Sequence, residues 1–341
     1  MKAAVQKAIG VLNVEDVPEP KPGPDQVKIK IAYCGICGTD IEILEGRFGL
    51  AKAEEAKRPK GPNINGHEAS GTIVELGSHV QHGYKVGQRV ALNFKCPCGG
   101  CYYCRNKMEH FCTNVSFATG AFAEYAVYKE ALLYPLPDDI SLEHGALLEP
   151  VSVAVHATDL SNIHPGSSVA ISGAGPIGLL LLELALKAGA TKVLISEPVA
   201  EKRQLARKLG ADVVVDPLKE DLEAIAKQLT EGLGFDTVIE ASGNLGAAKQ
   251  AVSLAAKCGT ILWAAVYPDD AEISIRPFHM YANELSIRSV FVSPYSFPRA
   301  MNLLPKLELN PIISHIIPLQ DIEKAFELHK KGKSIKILIK P

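Results

Sequence analysis

Four cysteines in one short segment are spaced closely enough to bind a single metal ion. Cys98, Cys101, Cys104 and Cys112 stand three, three and eight residues apart in CGGCYYCRNKMEHFC. Four thiolates close a tetrahedral shell, which suits zinc and leaves no coordination position for a substrate. The spacing therefore predicts a structural zinc site, and we expect the chemistry of the protein to lie elsewhere.

A second set of candidate ligands lies earlier in the chain. Cys37 stands in Gly-Ile-Cys-Gly-Thr-Asp, and His67 and Glu68 follow about thirty residues later in Gly-His-Glu. One thiolate, one imidazole and one carboxylate make an incomplete shell, which suits a zinc ion that also binds water or substrate. Single cysteine and histidine residues also serve as packing residues in protein cores. From these residues alone, both interpretations remain open.

A glycine-rich turn predicts a dinucleotide site. The segment GAGPIG follows a predicted strand over 169–172 and opens a predicted helix. The residues assigned to the cofactor are Gly173, Gly175, Pro176, Ile177 and Gly178. Glycines in a GxGxxG pattern allow a tight turn, close approach of a pyrophosphate and close packing of helix on strand. The free N–H groups at the start of the helix favour the phosphates.

The choice of cofactor depends on two further residues. Glu197 stands nineteen residues after Gly178, at the end of the next predicted strand. A carboxylate there accepts hydrogen bonds from the ribose hydroxyls and repels a 2′-phosphate, so NAD is favoured over NADP. Arg203, six residues further on, could soften that preference.

The elements that must position these residues fall into two patterns. Residues 1–148 are rich in short β-like runs separated by glycine and proline. From about residue 167, apolar strands alternate with amphipathic helices, which predicts a doubly wound parallel sheet of the α/β class. A last β-like run covers 285–292, after which we expect the chain to return to the first module.

The composition excludes several classes of partner. The 341 residues are 47% hydrophobic and 22% charged, with a net charge of −2. A chain with this small negative net charge is not attracted to nucleic acid or to an anionic membrane. The amino terminus has no signal-peptide pattern, no apolar run is long enough to span a membrane, and the cysteine pattern is typical of reduced metal ligands. We therefore expect a cytoplasmic protein.

The motifs taken together resemble one family. In chain order, CGxD, GHE, a four-cysteine lobe, LEP and GxGPxG are similar to the zinc-dependent medium-chain alcohol and polyol dehydrogenases, including sorbitol and butanediol dehydrogenases. The resemblance implies a Rossmann domain over 149–285 and a β-rich GroES-like catalytic domain built from 1–148 and 286–341. It places the structural-zinc lobe at about 94–114 and the active site in the cleft between the two domains.

The resemblance also implies roles for individual residues. The catalytic zinc would be held by Cys37 and His67, with Glu68 or Glu149 binding the metal directly or holding its water. Thr39 would accept the proton of the substrate hydroxyl. The implied cofactors are NAD and two zinc ions per subunit, and the implied substrate is a small alcohol or polyol. Relatives pair through the strand matching 285–292, so we expect a homodimer or homotetramer.

Two departures from the family pattern bear on the substrate. Many members have a histidine where this chain has Glu42, which alters the expected proton relay. Sorbitol dehydrogenases commonly read Phe-Arg-Tyr where this chain reads Phe291-Val292-Ser293, so an arginine that contacts the polyol is missing. We therefore expect NAD-dependent oxidation of a secondary alcohol in a different polyol, a cyclitol, a sugar derivative or a vicinal diol. The alternatives are an L-threonine 3-dehydrogenase and a zinc-stabilised binding protein without turnover.

Overall fold

The computed structural model describes residues 1–47 and 61–341. These residues form two compact units. Unit 1 comprises Met1–Pro150 and Phe297–Pro341, and unit 2 comprises Val151–Ser296. The basic stretch from Lys52 to Lys60, for which the sequence indicates a solvated loop, lies outside the described residues. Within the described residues, no helix is both long enough and apolar enough to cross a membrane.

The described residues contain both strands and helices. In chain order the strands are β1 (Lys2–Ala8), β2 (Val11–Asp16), β3 (Gln26–Gly35), β4 (Glu68–Leu76), β5 (Arg89–Leu92), β6 (Lys95–Cys96), β7 (Ser116–Phe117), β8 (Tyr125–Lys129), β9 (Leu133–Pro135), β10 (Ser168–Ser172), β11 (Lys192–Ser196), β12 (Val213–Val215), β13 (Phe235–Glu240), β14 (Ala255–Trp263), β15 (Ser286–Ser289), β16 (Ile313–Pro318) and β17 (Lys336–Lys340). The α-helices are α1 (Gly38–Leu44), α2 (Tyr102–Arg105), α3 (Leu142–Gly145), α4 (Leu148–Ser161), α5 (Pro176–Lys187), α6 (Ala200–Lys208), α7 (Leu222–Leu229), α8 (Leu245–Leu254), α9 (Pro277–Asn283), α10 (Phe297–Leu303) and α11 (Ile322–Lys330).

A mixed sheet of seven strands forms the centre of unit 1. Its order is β16-β17-β3-β4-β5-β9, and β8 also pairs with β3. Val27, Ile29 and Ile31 alternate along β3 and are buried, as expected for a strand with one face on the core. The carboxyl end of β3 lies beside the start of β4, where Gly35 is paired with Glu68. This pairing fixes the position of the GHE motif.

A short antiparallel pair closes the four-cysteine segment of unit 1. Strand β6 precedes the first of the four cysteines and β7 follows the last, with Lys95 opposite Phe117. Between them the chain forms α2 and a 3₁₀ turn over Glu109–Phe111. The lobe contains little regular structure, so a metal ion is well suited to stabilise it.

Unit 2 is built on six parallel strands. Their order is β12-β11-β10-β13-β14-β15, and it reverses between β10 and β13. Strands β10 and β11 contain the fully buried residues Val169, Ile171, Val193 and Ile195, as expected where helices cover both faces of a parallel sheet. Dinucleotides bind such sheets at the carboxyl ends of the strands, at the reversal point.

The structure differs from the sequence prediction at the end of unit 2. The predicted return to the catalytic module begins at residue 286. In the structure, β15 instead pairs in parallel with β14, so 286–289 belong to the six-stranded sheet. The second segment of unit 1 begins at Phe297. A β-like run cannot by itself reveal which sheet it will join, because that depends on pairing with distant strands.

Candidate functional site

Three candidate metal ligands come together in unit 1. The ligand atoms of Cys37, His67 and Glu68 all lie within 4.8 Å of one another. Cys37 directly precedes α1, and His67 directly precedes β4. Glu68 is 2% exposed and His67 is 9% exposed. Cys37 is half-buried. One sulfur, one imidazole and one carboxylate at these separations fit a zinc ion.

Asp40 lies beside two of these ligand residues. Its Oδ2 atom accepts a 2.9 Å hydrogen bond from the backbone N–H of Cys37. Its Oδ1 atom lies 3.4 Å from Nδ1 of His67. Although burial lowers the pKa of His67, the charge of Asp40 raises that pKa well above its ordinary value. With Nδ1 facing Asp40, Nε2 is the nitrogen that His67 can offer to a metal.

Two glycines leave the space that this cluster occupies. A β-carbon on Gly35 would lie 2.1 Å from the Oε2 atom of Glu68. Gly66 has a φ of +93°, and a β-carbon there would approach the backbone nitrogen of Phe122 to 2.8 Å. A larger residue at position 35 would therefore displace Glu68, and one at position 66 would meet Phe122 and strain the backbone directly before His67.

Two further charged residues are buried with the cluster. Glu149 lies in the first turn of α4 and is 6% exposed. Burial raises the pKa of Glu149 to about 7, against the lowering effect of His67. Lys336, on β17, donates hydrogen bonds to both carboxylate oxygens of Glu68. The sequence pattern did not single out Lys336.

Thr39 and Glu42 lie on α1, the helix that starts directly after Cys37. Both are half-buried. Because they are three residues apart, their side chains share one face of the helix.

The four cysteine sulfurs of the lobe also come together, all within 4.8 Å of one another. The Sγ atom of Cys101 lies 3.5 Å from that of Cys104 and 3.9 Å from that of Cys112. Zn–S bonds of about 2.3 Å in a tetrahedron give sulfur separations of about 3.8 Å, so this set fits zinc. Hydrogen bonds from the backbone N–H groups of Cys104 and Thr113 lower the pKa of Cys101 to about 6, which favours the thiolate.

The glycine turn of unit 2 has the geometry of a phosphate cradle. Gly173 has a φ of +97°, and a β-carbon on Gly178 would lie 2.0 Å from the carbonyl oxygen of Gly173. Pro176 and Ile177 are the first two residues of α5. A β-carbon on Gly175 would meet nothing within 4 Å. This open position beside a helix amino terminus fits a pyrophosphate.

Glu197 directly follows β11 and is buried. Its Oε2 atom accepts a 2.8 Å hydrogen bond from the N–H of Ala174, within the glycine turn. Its Oε1 atom accepts a 2.9 Å hydrogen bond from the N–H of Val199. Carboxylate oxygens have more than one acceptor site each, so Glu197 can still accept hydrogen bonds from ribose hydroxyls.

Arg203, on α6, is held by protein oxygens. Its Nη2 atom lies 3.1 Å from Asp216, and its Nη1 atom donates a 2.6 Å hydrogen bond to the carbonyl oxygen of Glu197. The sequence predicted Arg203 as a cofactor contact, whereas Asp216 was not identified. The signal for Asp216 was its place directly after a predicted strand, where ligand-contacting residues of parallel sheets lie.

Glu240, the last residue of β13, is a further residue of this site that the sequence motifs did not predict. Its fully buried carboxylate accepts hydrogen bonds from the N–H groups of Ser242 and Gly243, at 2.7 and 3.2 Å. The hydroxyls of Ser242 and Tyr267 donate to the same carboxylate. A β-carbon on Gly173 would lie 3.0 Å from Ser242. Glu240 therefore fixes the loop that packs on the dinucleotide turn.

Comparisons with known proteins agree with this geometry. Residues 23–138 match the alcohol dehydrogenase GroES-like domain, and residues 176–306 match the zinc-binding dehydrogenase family. The chain is 37% identical to an L-threonine 3-dehydrogenase from Pyrococcus horikoshii, over 95% of this chain and 93% of that protein. It is 33% identical to a sorbitol dehydrogenase from Halalkalibacterium halodurans, over 100% of this chain and 99% of that protein.

A solved structure from Sinorhizobium meliloti 1021, described as a zinc-binding dehydrogenase bound to NADP, is similar with a TM-score of 0.91. It is 33% identical, and the match covers 100% of this chain and 99% of that one. The chain therefore belongs to the zinc-dependent medium-chain dehydrogenases. Within them it is of the polyol dehydrogenase type, and the predicted combination of GroES-like and Rossmann domains is confirmed.

Proposed function

We propose that the protein oxidises a secondary alcohol of a polyol, cyclitol, sugar derivative or vicinal diol, with NAD as the hydride acceptor. The observation that carries this proposal is the meeting of the ligand atoms of Cys37, His67 and Glu68 within 4.8 Å, in a buried site that also contains Glu149. The closed four-cysteine cluster offers no such open shell.

Several residues of unit 1 have separate roles in the proposed alcohol oxidation. When bound, zinc supplies the Lewis acidity that lowers the pKa of an alcohol hydroxyl, and NAD accepts the hydride. Cys37 and His67 would hold the metal, and Asp40, close to Nδ1 of His67, would help to keep the imidazole ring in one orientation. Thr39 accepts the hydroxyl proton, and Glu42, three residues further along α1, passes it on.

Glu149 is the acid that we assign to the metal or its water. Both oxygens of Glu68 accept hydrogen bonds from Lys336, which already balances the charge of Glu68. Burial raises the pKa of Glu149 to about 7, because it disfavours the charged form of the carboxylate. A divalent cation bound nearby would favour the charged form of Glu149 and offset the cost of its burial.

Unit 2 supports NAD as the cofactor. The open position at Gly175 fits the pyrophosphate, and Glu197 stands where a carboxylate accepts hydrogen bonds from the ribose. The similar structure from Sinorhizobium meliloti 1021 is bound to NADP, so this fold does not by itself exclude NADP. We infer a preference for NAD from the carboxylate of Glu197, which would repel a 2′-phosphate.

A panel of polyols, cyclitols, diols and sugar phosphates, each assayed with NAD and with NADP, tests the proposal. We expect formation of reduced nicotinamide that a chelator abolishes and added zinc restores. Activity that survives complete removal of zinc would contradict the metal assignment. Absence of turnover on the whole panel, with normal zinc content and normal NADH binding, would favour a zinc-stabilised binding protein.

L-threonine oxidation is a second candidate, favoured by the 37% identity to the Pyrococcus horikoshii enzyme. That substrate also contains a secondary alcohol, so the same metal site would serve. Including L-threonine in the panel separates the two proposals: a kcat/KM for threonine above that of every polyol would establish the second candidate.

A further inference from the structure

The guanidinium of Arg203 lies at the carboxyl ends of two neighbouring strands of unit 2. It contacts the carboxylate of Asp216 at 3.1 Å and the carbonyl oxygen of Glu197 at 2.6 Å. Both members of the ion pair are largely buried, since the Arg203 side chain is 16% exposed and that of Asp216 is 6% exposed. The charge of Arg203 is therefore directed to Asp216.

Asp216 is itself held firmly in the turn after β12. Its Oδ1 atom accepts a 3.2 Å hydrogen bond from the N–H of Leu218, and its own N–H donates to Glu220 at 2.7 Å. Its Oδ2 atom also lies 3.6 Å from the ammonium of Lys219. One carboxylate thus pairs with two cations at this end of the sheet.

These groups lie at the carboxyl ends of β11 and β12, where the ribose of a bound dinucleotide is expected. Glu197 follows β11 and Asp216 follows β12, and the N–H of Glu197 donates to the carbonyl oxygen of Val215 at 3.0 Å. In doubly wound sheets the residue after the second strand contacts the ribose 2′-hydroxyl, and a nearby arginine accommodates a 2′-phosphate. Arg203 is near this position, but Asp216 already pairs with its charge.

We propose that Asp216 is a specificity-determining residue that selects a dinucleotide without a 2′-phosphate. By pairing with Arg203, Asp216 withholds the cation that the phosphate would need and adds a second carboxylate beside Glu197. This inference rests on the proposed function, in which unit 2 binds NAD. It assigns the preference to Asp216, the residue directly after β12, as well as to Glu197.

Asp216→Asn tests the inference in the full-length protein. The amide oxygen still accepts the hydrogen bond from Leu218, while the charge that holds Arg203 is removed. Fluorescence titrations with NADPH and NADH measure both dissociation constants. We expect the variant to bind NADPH about tenfold more tightly, with NADH binding changed by less than about threefold, since a charge-assisted contact to the phosphate becomes possible.

Glu220→Gln is the matched control. It removes a carboxylate from the same turn, and the glutamine oxygen can still accept the N–H of Asp216. We expect the ratio of the NADPH and NADH dissociation constants to stay as in the wild type. A shift in that ratio equal to that of Asp216→Asn would mean that total charge, and not release of Arg203, sets the preference, which overturns the inference.

A further variant shows whether Arg203 carries the effect. Adding Arg203→Gln to Asp216→Asn should cancel the gain in NADPH affinity, whereas persistence of the gain would contradict the inference.

An unchanged ratio of the two dissociation constants in Asp216→Asn overturns the role of Asp216 alone. Wild-type protein that binds neither NADH nor NADPH overturns the proposed function together with this inference. If Asp216→Asn does not fold, Asp216→Ser, which keeps a short acceptor, is subject to the same criteria.

Discussion

The ammonium of Lys336 lies 2.8 and 2.6 Å from the two carboxylate oxygens of Glu68, and both side chains are almost fully buried. The same ammonium donates a 3.0 Å hydrogen bond to the carbonyl oxygen of Ile36, next to Cys37. The last strand of the chain therefore supplies the positive charge that balances an acid of the candidate metal site.

Lys336→Met should destabilise the protein by about 3–5 kcal/mol, because it leaves the buried Glu68 carboxylate without its counter-charge. Urea unfolding measures the change. The double variant Lys336→Met with Glu68→Gln removes both charges and should recover a large part of the loss. If Lys336→Met costs the same in the Glu68→Gln background, the two side chains do not interact energetically.

The two metal sites should respond differently to loss of one sulfur. Cys37→Ser should leave a stable protein that has lost turnover and about one zinc ion per chain, because its site is open and needed for chemistry. Cys104→Ser should lose the other zinc ion and much of the thermal stability, because metal binding by a closed shell contributes folding free energy. Metal analysis and thermal unfolding measure both effects.

Cys258→Ser is the control for these two variants, since Cys258 is exposed and belongs to neither group of candidate metal ligands found among the described residues. We expect it to keep wild-type zinc content, stability and turnover. A Cys104→Ser protein that remains as stable as the wild type would contradict the division between a structural and a catalytic ion.

Local spacing explains why parts of the site could be predicted from the sequence. The four cysteines of the lobe lie within one short segment, so chain geometry alone restricts the separation of their sulfurs. The glycine turn and its helix are also contiguous in sequence. Such features depend on neighbouring residues and on φ values that favour glycine, as at Gly173.

Other parts of the site depend on tertiary pairing and could not be predicted. Lys336 and Glu68 are separated by 268 residues and meet only because β17 pairs with β3, which also pairs with β4. Arg203 and Asp216 meet because α6 packs beside β12. Lysine and arginine are usually exposed, so the sequence gives no sign that Lys336 and Arg203 are largely buried or which acid each contacts. Only the folded chain shows these partners.

The carboxylate of Glu130 makes a pH-dependent contribution to the stability of unit 1. A hydrogen bond with His82 lowers this pKa from 4.5, and the N–H groups of Gln81 and His82 act in the same direction at 2.8 and 3.1 Å. Because the folded state holds fewer protons on Glu130 than the unfolded state, its contribution is complete above pH 4.5 and is lost as the pH falls through the lowered pKa.

Glu130→Gln should therefore cost about 1 kcal/mol at neutral pH, where charge-assisted hydrogen bonds are lost. The difference from the wild type should vanish in acid, below the lowered pKa of Glu130. Unfolding curves of both proteins over a pH series measure it. A constant difference at all pH values would show that the effect comes from packing and not from the charge.

Two glycines of the dinucleotide turn should separate stability from cofactor binding. Gly178→Ala places a β-carbon 2.0 Å from the carbonyl oxygen of Gly173, so the backbone must move, and we expect the free energy of unfolding to fall by about 1–3 kcal/mol.

The β-carbon of Gly175→Ala meets nothing within 4 Å, so stability should be retained. The added methyl group would nevertheless occupy the space into which a pyrophosphate must approach, so NADH binding should weaken at least about tenfold. Urea unfolding and NADH fluorescence titration of both variants measure these effects. If a stable Gly175→Ala protein bound NADH as tightly as the wild type, this turn would not hold the pyrophosphate. A pyrophosphate that contacts the backbone at position 175 could not do so past the added methyl group.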